Sequence, residues 1–434
     1  MALIFLELNE INFDVIKKYI SKGYSLPGFS KILKEGILET SSENNYDFLE
    51  PWIQWPSVHT GYEYSDHKIF RLGDIVKSDF PQIFEKIENK GFSVGAISPM
   101  NTRNELINPA YFIPDPWTNT KCDGSFFSKS LTSALRQSVN ENSKSRLSFS
   151  SILTLIFAMI FYVRPFKYFS FTRYALSVFG RPWRKALFLD KLLYEVHRTL
   201  FKRKDPDFST IFLNAGAHIQ HHYFFNSSVS KENKLINPEW YVNKNIDPIL
   251  EMLQEYDQIL QDLLSIKKTS IIIATGLSQK PYNKVQFYYR LLKHEEFLKQ
   301  MEISFREVYP RMTRDFLITF DSEYSAKLAE KKLESITVND DERLFGEIDN
   351  RGKELFVVLT YPNEIKLDTC ISVNGKSLKL NPLVVFVAVK NGMHDQKGYL
   401  YLSKDLQKYK PENNQHVSKI HFSIIDYFNN KLSS

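Results

Sequence analysis

The stretch Ile211–His222, IFLNAGAHIQHH, decides how the chain is read. Pro206 and Asp207 break what precedes it, and the β-branched and apolar residues from Ser209 to Leu213 then spell a buried strand ending at Asn214. Ala215, Gly216 and Ala217 let the backbone turn closely, and His218, His221 and His222 come directly after. In an open α/β sheet, ligands bind beyond the carboxyl ends of the strands. That rule places Asn214 and His218 where chemistry is usually found. The competing reading is a satisfied, partly buried histidine cluster on a helix, and spacing alone does not separate the two.

The same alternation extends in both directions. Leu3–Leu8 is a compact apolar run, read as a central first strand closed by Asn9 and Glu10, with a helix beginning at Phe13. A helix near Phe29–Lys34, the segment LEPWIQWPSVHTG at 49–61, a helix over Phe80–Lys90 and a strand over Phe92–Ile97 follow, with Asn101 just past that strand. Residues 102–145 are polar and read as a long surface excursion. Beyond the histidines, a helix over Ile246–Ile266 leads to a strand at Thr269–Ala274 and the turn TGLSQKPYN. Residues 311–380 read as a small α+β module with a hairpin turning at Asn350 and Gly352. The core sheet is then expected to resume at Pro382–Val389, before a loop, NGMHDQKG, that carries His394. The predicted fold class is α/β, with a mainly parallel central sheet flanked by helices, a helical basic insertion and a small α+β insertion. The predicted divisions are 1–145, 205–280 and 381–434 for the core, 146–204 for the helical insertion and 281–380 for the α+β insertion.

Composition bounds the function. With 434 residues, 43% hydrophobic and 24% charged, the chain can bury a large core, and extensive disorder is excluded. Cys122 and Cys370 form no metal or redox motif, so a reducing, cytoplasmic compartment is expected. The start, MALIFLELNEI, has no basic leader and reads as a strand, not a signal peptide. The net charge of +6 is modest but unevenly spread. After the apolar run SILTLIFAMIFYV at Ser151–Val163, lysines and arginines from Arg164 to Lys204 interleave with aromatics, opposed only by Asp190 and Glu195. That run is short of the roughly 20 apolar residues a spanning helix needs. The composition fits a segment lying on an anionic membrane, peripheral to its inner face. It equally fits a helical lid whose apolar face packs on the sheet. Nucleic acid is not an expected partner, because no recognised module is present.

The order of the strand-end motifs resembles the alkaline phosphatase superfamily, in particular its phosphodiesterase/nucleotide pyrophosphatase branch. WIQWPSVHTG is similar to the nucleophile segment of that branch and DHKIF at 66–70 to the sequence after it. NAGAH has the spacing of its Asp-x-x-x-His motif, TSIIIATGLS resembles the run into its Ser-Asp-His-Gly turn, and GMH at 392–394 resembles its final histidine motif. The resemblance implies a fold accepting insertions at 146–204 and 281–380, and a metal-dependent chemistry of phosphate esters. The departures are as informative. Asn9 stands at the first metal aspartate, with Glu7 or Glu10 as substitutes, and Gln54 at the nucleophile, with Ser57 as a surrogate. Asn214 stands at the second aspartate, and Thr275, Gly276, Leu277 and Ser278 replace Ser-Asp-His-Gly. Only His218 and His394 match.

A two-zinc site needs several carboxylates to offset the metal charge, so a binuclear centre is not expected. One divalent ion, zinc or manganese, on His218, His394 and Asn214 is left open, as is no metal at all. The implied catalytic positions are Gln54, Ser57 and Asn101, and the implied ligand-binding positions Asn9, Glu10, Asn214 and His221. Two functions follow. One is a divergent hydrolase or transferase acting on a phosphodiester, nucleotide-sugar or glycan-linked phosphate. The other is a non-catalytic descendant that binds an anionic or glycan ligand, at a membrane surface in one version.

Overall fold

The computed structural model of the protein describes residues 1–140, 148–230, 235–311, 314–373 and 375–432. Two compact units emerge. The first comprises Met1–Glu232, Val242–Pro281 and Gly392–Ser434, and the second Asn233–Tyr241 and Tyr282–Asn391. The expected boundary at 145/146 lies outside the described residues.

The first unit is built on a seven-stranded sheet. Its strands are β1 (Ala2–Leu8), β2 (Leu38–Ser41), β3 (Val94–Ile97), β4 (Tyr111–Ile113), β5 (Phe208–Leu213), β6 (Thr269–Ala274) and the strand Lys397–Leu402. In space they run β2, Lys397–Leu402, β6, β1, β5, β3, β4. β1 pairs in parallel with β5 and β6, and β3 in parallel with β5 and β4, while Lys397–Leu402 runs antiparallel to β6 and β2. This is the mainly parallel α/β sheet expected from the alternating pattern. The register sets Leu8 against Leu213 and Glu7 against Ala274. Asn9, Asn214 and Thr275, the residues directly after three adjacent strands, therefore share one edge.

The helices up to the histidine stretch are α1 (Phe13–Ser21), α2 (Pro27–Glu35), α3 (Pro51–Thr60), α4 (Tyr64–His67), α5 (Ile83–Glu88), α6 (Phe126–Asn140), α7 (Phe149–Tyr162), α8 (Tyr168–Leu176) and α9 (Trp183–Lys204). Then come α10 (Ala215–Tyr223) and α11 (Pro248–Leu263). Local chemistry sets their ends. Asn12 caps α1 by accepting from Asp14 N and Val15 N, and α3 opens with Pro51 in its first turn and closes on Gly61 at φ +83°. Because side chains alternate along a strand, Leu3 and Phe5 of β1 face one layer, where they cluster with Trp55 and Val58 of α3, Phe84 and Ile87 of α5, and Ile424 and Phe428 of the C-terminal helix Lys419–Leu432. Helices α2, α9, α10 and α11 pack against one another in a second layer.

Three expectations are corrected. The excursion at 102–145 is not all surface: it contains the fully buried β4 and the helix α6, although 141–145 lie outside the described residues. The core sheet does not resume at Pro382–Val389. That run belongs to the strand Val384–Asp395, which pairs with β7 (Ser278–Leu291) in a separate two-stranded sheet. Lys397–Leu402 takes the core position, being buried at every residue but its first, whereas Val385 stays exposed. As a consequence, His394 lies on a strand and not in a loop.

The second unit contains two four-stranded antiparallel sheets and the helix Glu323–Glu334. Its hairpin turns between Asn350 and Glu354, where Asn350 Oδ1 accepts from Gly352 N at 3.0 Å and Gly352 adopts φ +80°.

The helical insertion is fastened to α11 by its own cations. Arg164 bridges Glu195 and Asp262, each at 2.6 Å, and Lys167 meets Glu195 at 2.8 Å. Arg198 and the Tyr194 hydroxyl also reach Asp262, at 3.1 and 2.7 Å, while Arg184 pairs with Glu251 and Lys191 with Glu255. Burial alone would raise the Asp262 pKa, but Arg164, Tyr194 and Arg198 pull it from 3.8 down to about 2. A depressed carboxylate stabilises the fold above its unfolded pKa and loses that stabilisation as pH falls through the folded one. Acid titration from pH 4 to 2 is therefore expected to loosen the insertion through this group. Asp262→Asn should lower stability at neutral pH by about 2 kcal/mol and flatten the acid limb of the thermal-unfolding profile.

Candidate functional site

At the shared edge, the first residue beyond Asn9 is the unusual one. Glu10 adopts φ +61°, a left-handed conformation rare outside glycine, and is only 2% exposed. Both of its backbone groups are held: its N–H donates to Thr275 O at 3.0 Å, and its carbonyl accepts from Gln220 Nε2 at 2.8 Å. The side chain is thereby aimed at α10 and the strand Val384–Asp395. Glu10 Oε2 lies 3.3 Å from His221 Nε2 and 3.2 Å from His394 Nε2, and it accepts from Gln279 Nε2. The other oxygen accepts from Asn9 Nδ2 at 3.1 Å. One ligand atom from each of Glu10, His221 and His394 lies within 4.8 Å of the others.

The electrostatics follow from burial and pairing. Burial works against the charged form of Glu10, yet the nearby His394 and His221 hold its carboxyl well below the usual carboxylate range. Burial likewise disfavours the His394 imidazolium, but Glu10 on one side and Glu50, 3.6 Å from Nδ1, on the other raise it to about 9. Glu10 and His394 thus form a compact carboxylate–imidazolium pair.

The structure divides the sequence candidates into three groups. Asn9 and Asn214 join this edge, but their amides bond each other, Asn9 Nδ2 donating to Asn214 Oδ1 at 2.8 Å, and Trp55 Nε1 donates to Asn9 Oδ1 at 2.8 Å. His221, not His218, reaches Glu10 and His394. His218 is exposed, its ring set edge-on to His222 with centroids 4.7 Å apart. His218 and His221 both lie just after the strand end on α10, and only the course of the helix from Ala215 decides between them.

The implied catalytic positions are occupied with structural work. Gln54 is fully buried in α3 and donates to Phe48 O at 3.1 Å. Ser57 donates to Ile53 O at 3.2 Å and lies 2.9 Å from His67 Nε2. His67 Nδ1 accepts from Ile69 N at 2.9 Å, so Nε2 carries the proton and donates to Ser57. An imidazole that donates to a hydroxyl cannot also take its proton. Asn101, at φ +47°, gives both side-chain donors to carbonyls, Trp52 O at 2.7 Å and Arg71 O at 3.3 Å, and accepts from Gly73 N. It ties loops together. His59 is buried on the sheet face, 3.2 Å from Glu7 and 3.1 Å from Thr102 Oγ1.

Sequence reasoning missed Gln279 and Gln220. Both amides reach Glu10, and Gln279 also donates to Ala217 O at 3.0 Å. The available signal was the polar Ser278–Gln279 pair directly after the apolar Leu277, on the way out of the core sheet.

A two-ion centre does not fit these residues. Asn9 and Asn214 are neutral and satisfied by each other, Gly276 packs under Trp55, and Leu277 is fully buried. A single ion does fit. One carboxylate and two imidazoles with converging ligand atoms form a three-ligand set of the kind that leaves a coordination position open.

No family model matches the chain, and no curated protein matches it in sequence. Similar solved structures include murine ectonucleotide pyrophosphatase/phosphodiesterase 5, at 10% identity and a TM-score of 0.43, covering 99% of this chain and 95% of that one. Phosphonoacetate hydrolase from Sinorhizobium meliloti 1021, solved with phosphonoacetate, is similar at 12% identity and a TM-score of 0.40 over 99% and 96% of the two chains. Alkaline phosphatase from the Antarctic bacterium TAB5 follows at 9% identity and a TM-score of 0.39 over 99% and 98%.

Close packing behind Glu10 can be probed without touching a ligand atom. A Cβ at Gly392 would lie 2.2 Å from Gln279 Oε1 and 2.6 Å from Gln220 O. Gly392→Ala is expected to displace the amides that hold Glu10 and to cost about 1–3 kcal/mol in chemical denaturation.

Proposed function

We propose that the first unit is a phosphate-ester site of reduced metal content, in which Glu10, His221 and His394 hold one divalent cation. The observation that carries this is the convergence of those three ligand atoms on a carboxylate strained at the carboxyl edge of a parallel sheet. When bound, zinc or manganese would polarise a phosphate oxygen. The chain's own residues do the rest. Glu10 supplies the negative charge of the ligand set, and Gln279 and Asn9 orient its two oxygens. Glu50 beside His394 Nδ1 fixes the ring so that Nε2 points at Glu10.

The substrate class we favour is a phosphodiester, nucleotide-sugar or glycan-linked phosphate, cleaved or transferred by a water-derived or acceptor nucleophile. The reading extends to its setting: a peripheral protein on the inner face of a membrane, with the helical insertion toward an anionic lipid surface. A second reading is favoured by the hydrogen bonds of Gln54 and Ser57. With the side-chain amide of one and the hydroxyl of the other committed to backbone carbonyls, the chain is a non-catalytic descendant that binds an anionic or glycan ligand.

Elemental analysis and calorimetric titration with zinc or manganese test the cation. One ion per chain is expected, with Glu10→Gln and His394→Ala each weakening it by roughly 10- to 100-fold or more and His218→Ala changing it little. Equal loss in His218→Ala, or no ion at all, would overturn the proposed ligand set. Turnover separates the two readings. On the non-catalytic reading, hydrolysis of a generic aryl phosphodiester with added zinc or manganese stays near background, because no side-chain nucleophile is activated, whereas metal-dependent turnover that Glu10→Gln abolishes supports the hydrolase or transferase reading. A metal-free or metal-loaded protein that binds a sugar phosphate without turning it over supports the non-catalytic reading.

A further inference from the structure

Helix α7 is amphipathic in the wrong sense for a packed lid. Its large apolar residues Phe149, Ile152, Leu153, Ile156, Phe157, Ile160 and Phe161 follow the three-and-four spacing of a single helical face, and each is between 41% and 76% exposed. The residues it buries are the small Ser151 and Ala158. A helix that packs on a core normally turns its large apolar face inward. Here that face points away from the protein, and contiguous exposure of this size marks a surface that something else covers.

The exposure does not stop with α7. In α8, Phe169 and Leu176 are 80% and 67% exposed, with Arg173 exposed between them on the same face, while Phe171 is buried. Phe166 and Phe179, on either side of α8, are 77% and 88% exposed. Cations close off the end of the α7 stripe. Arg203 donates to Phe161 O at 3.1 Å and lies over the Tyr162 ring, flanked by the exposed Lys202 and Lys204.

The only carboxylates between residues 149 and 204, Asp190 and Glu195, are buried, so the exposed charge of this stretch is all positive. The first exposed acid beyond it is Asp205, which ends α9. With 14 residues, α7 is too short to cross a bilayer, and no helix among the described residues is long and apolar enough to do so.

Building on the membrane setting proposed above, we infer that α7 and α8 form a foot that lies in the interface of an anionic bilayer. The Phe149–Phe161 stripe enters the acyl boundary, and Arg173, Lys202, Arg203 and Lys204 sit at the headgroups. Charge complementarity selects this occupant. A second copy of the chain would bring the same cations against themselves, whereas an anionic leaflet supplies apolar depth and opposite charge together.

Co-sedimentation of the full chain with vesicles tests it, comparing phosphatidylcholine alone with phosphatidylcholine plus phosphatidylglycerol. Binding is expected to the anionic vesicles only, and to weaken as salt is raised. Ile156→Glu and Phe161→Glu, both at exposed positions, are expected to reduce it by roughly tenfold or more each while leaving circular dichroism and metal binding unchanged. Wild-type binding that survives both substitutions would overturn the penetrating foot and leave the membrane setting standing. Absence of binding to either vesicle would overturn both. A lipid-free dimer that Ile156→Glu dissociates would replace the bilayer with a second copy. None of these readouts depends on the cation at Glu10.

Discussion

A single buried carboxylate organises the candidate site. Moving an ionised group out of water is costly unless opposite charge and hydrogen bonds replace the lost solvation. Glu10 is only 2% exposed and sits in a left-handed backbone conformation, so its position reflects strong local constraint. The constraint comes from three separate parts of the chain. The end of β6 holds its N–H through Thr275, α10 holds its carbonyl through Gln220 and supplies His221, and the strand Val384–Asp395 brings His394. The parallel register of β1 with β5 and β6 is what delivers the first two to the same edge. Sheet topology and site electrostatics are therefore one structural problem.

The amides at Asn9 and Asn214 make sense in the same terms. Two carboxylates with oxygens 2.8 Å apart would repel strongly without a cation between them. An amide pair at that distance instead forms a hydrogen bond, and Trp55 closes the remaining acceptor of Asn9. The amide pair is satisfied without an ion, and the converging ligand atoms lie a step away, where Glu10 meets two imidazoles. The candidate centre sits one residue beyond Asn9 and one helical turn beyond His218.

Much of the framework was legible because its signals are periodic. The apolar runs at Leu3–Leu8, Ser209–Leu213 and Thr269–Ala274 are buried parallel strands, and their ends are where the polar residues gather. What escaped the sequence depends on phase and on backbone geometry. His218 and His221 are three residues apart on one helix, about one turn, so they lie near the same face and spacing alone does not say which one meets Glu10. The left-handed turn at Glu10 has no glycine to announce it. The last core strand was misplaced because VVFVAV at 384–389 is apolar enough for a core strand, but lies in a two-stranded ribbon with Val385 exposed and Phe386 and Val387 half-buried, while YLYL at 399–402 carries the burial.

The basic segment shows why composition alone could not choose between lid and membrane contact. Its cations are split by function. Arg164, Lys167, Arg184, Lys191 and Arg198 turn inward and are spent on Glu195, Asp262, Glu251 and Glu255, fixing α9 to α11. Those ion pairs are partly buried, and each draws an acidic partner away from the surface. Other cations, among them Arg173, Lys202, Arg203 and Lys204, are exposed, beside an apolar stripe that points outward. A lid would have used its hydrophobic face for attachment and its charges for solvation. Here the ion pairs do the attaching, and that exchange of roles leaves the hydrophobic face available for another partner.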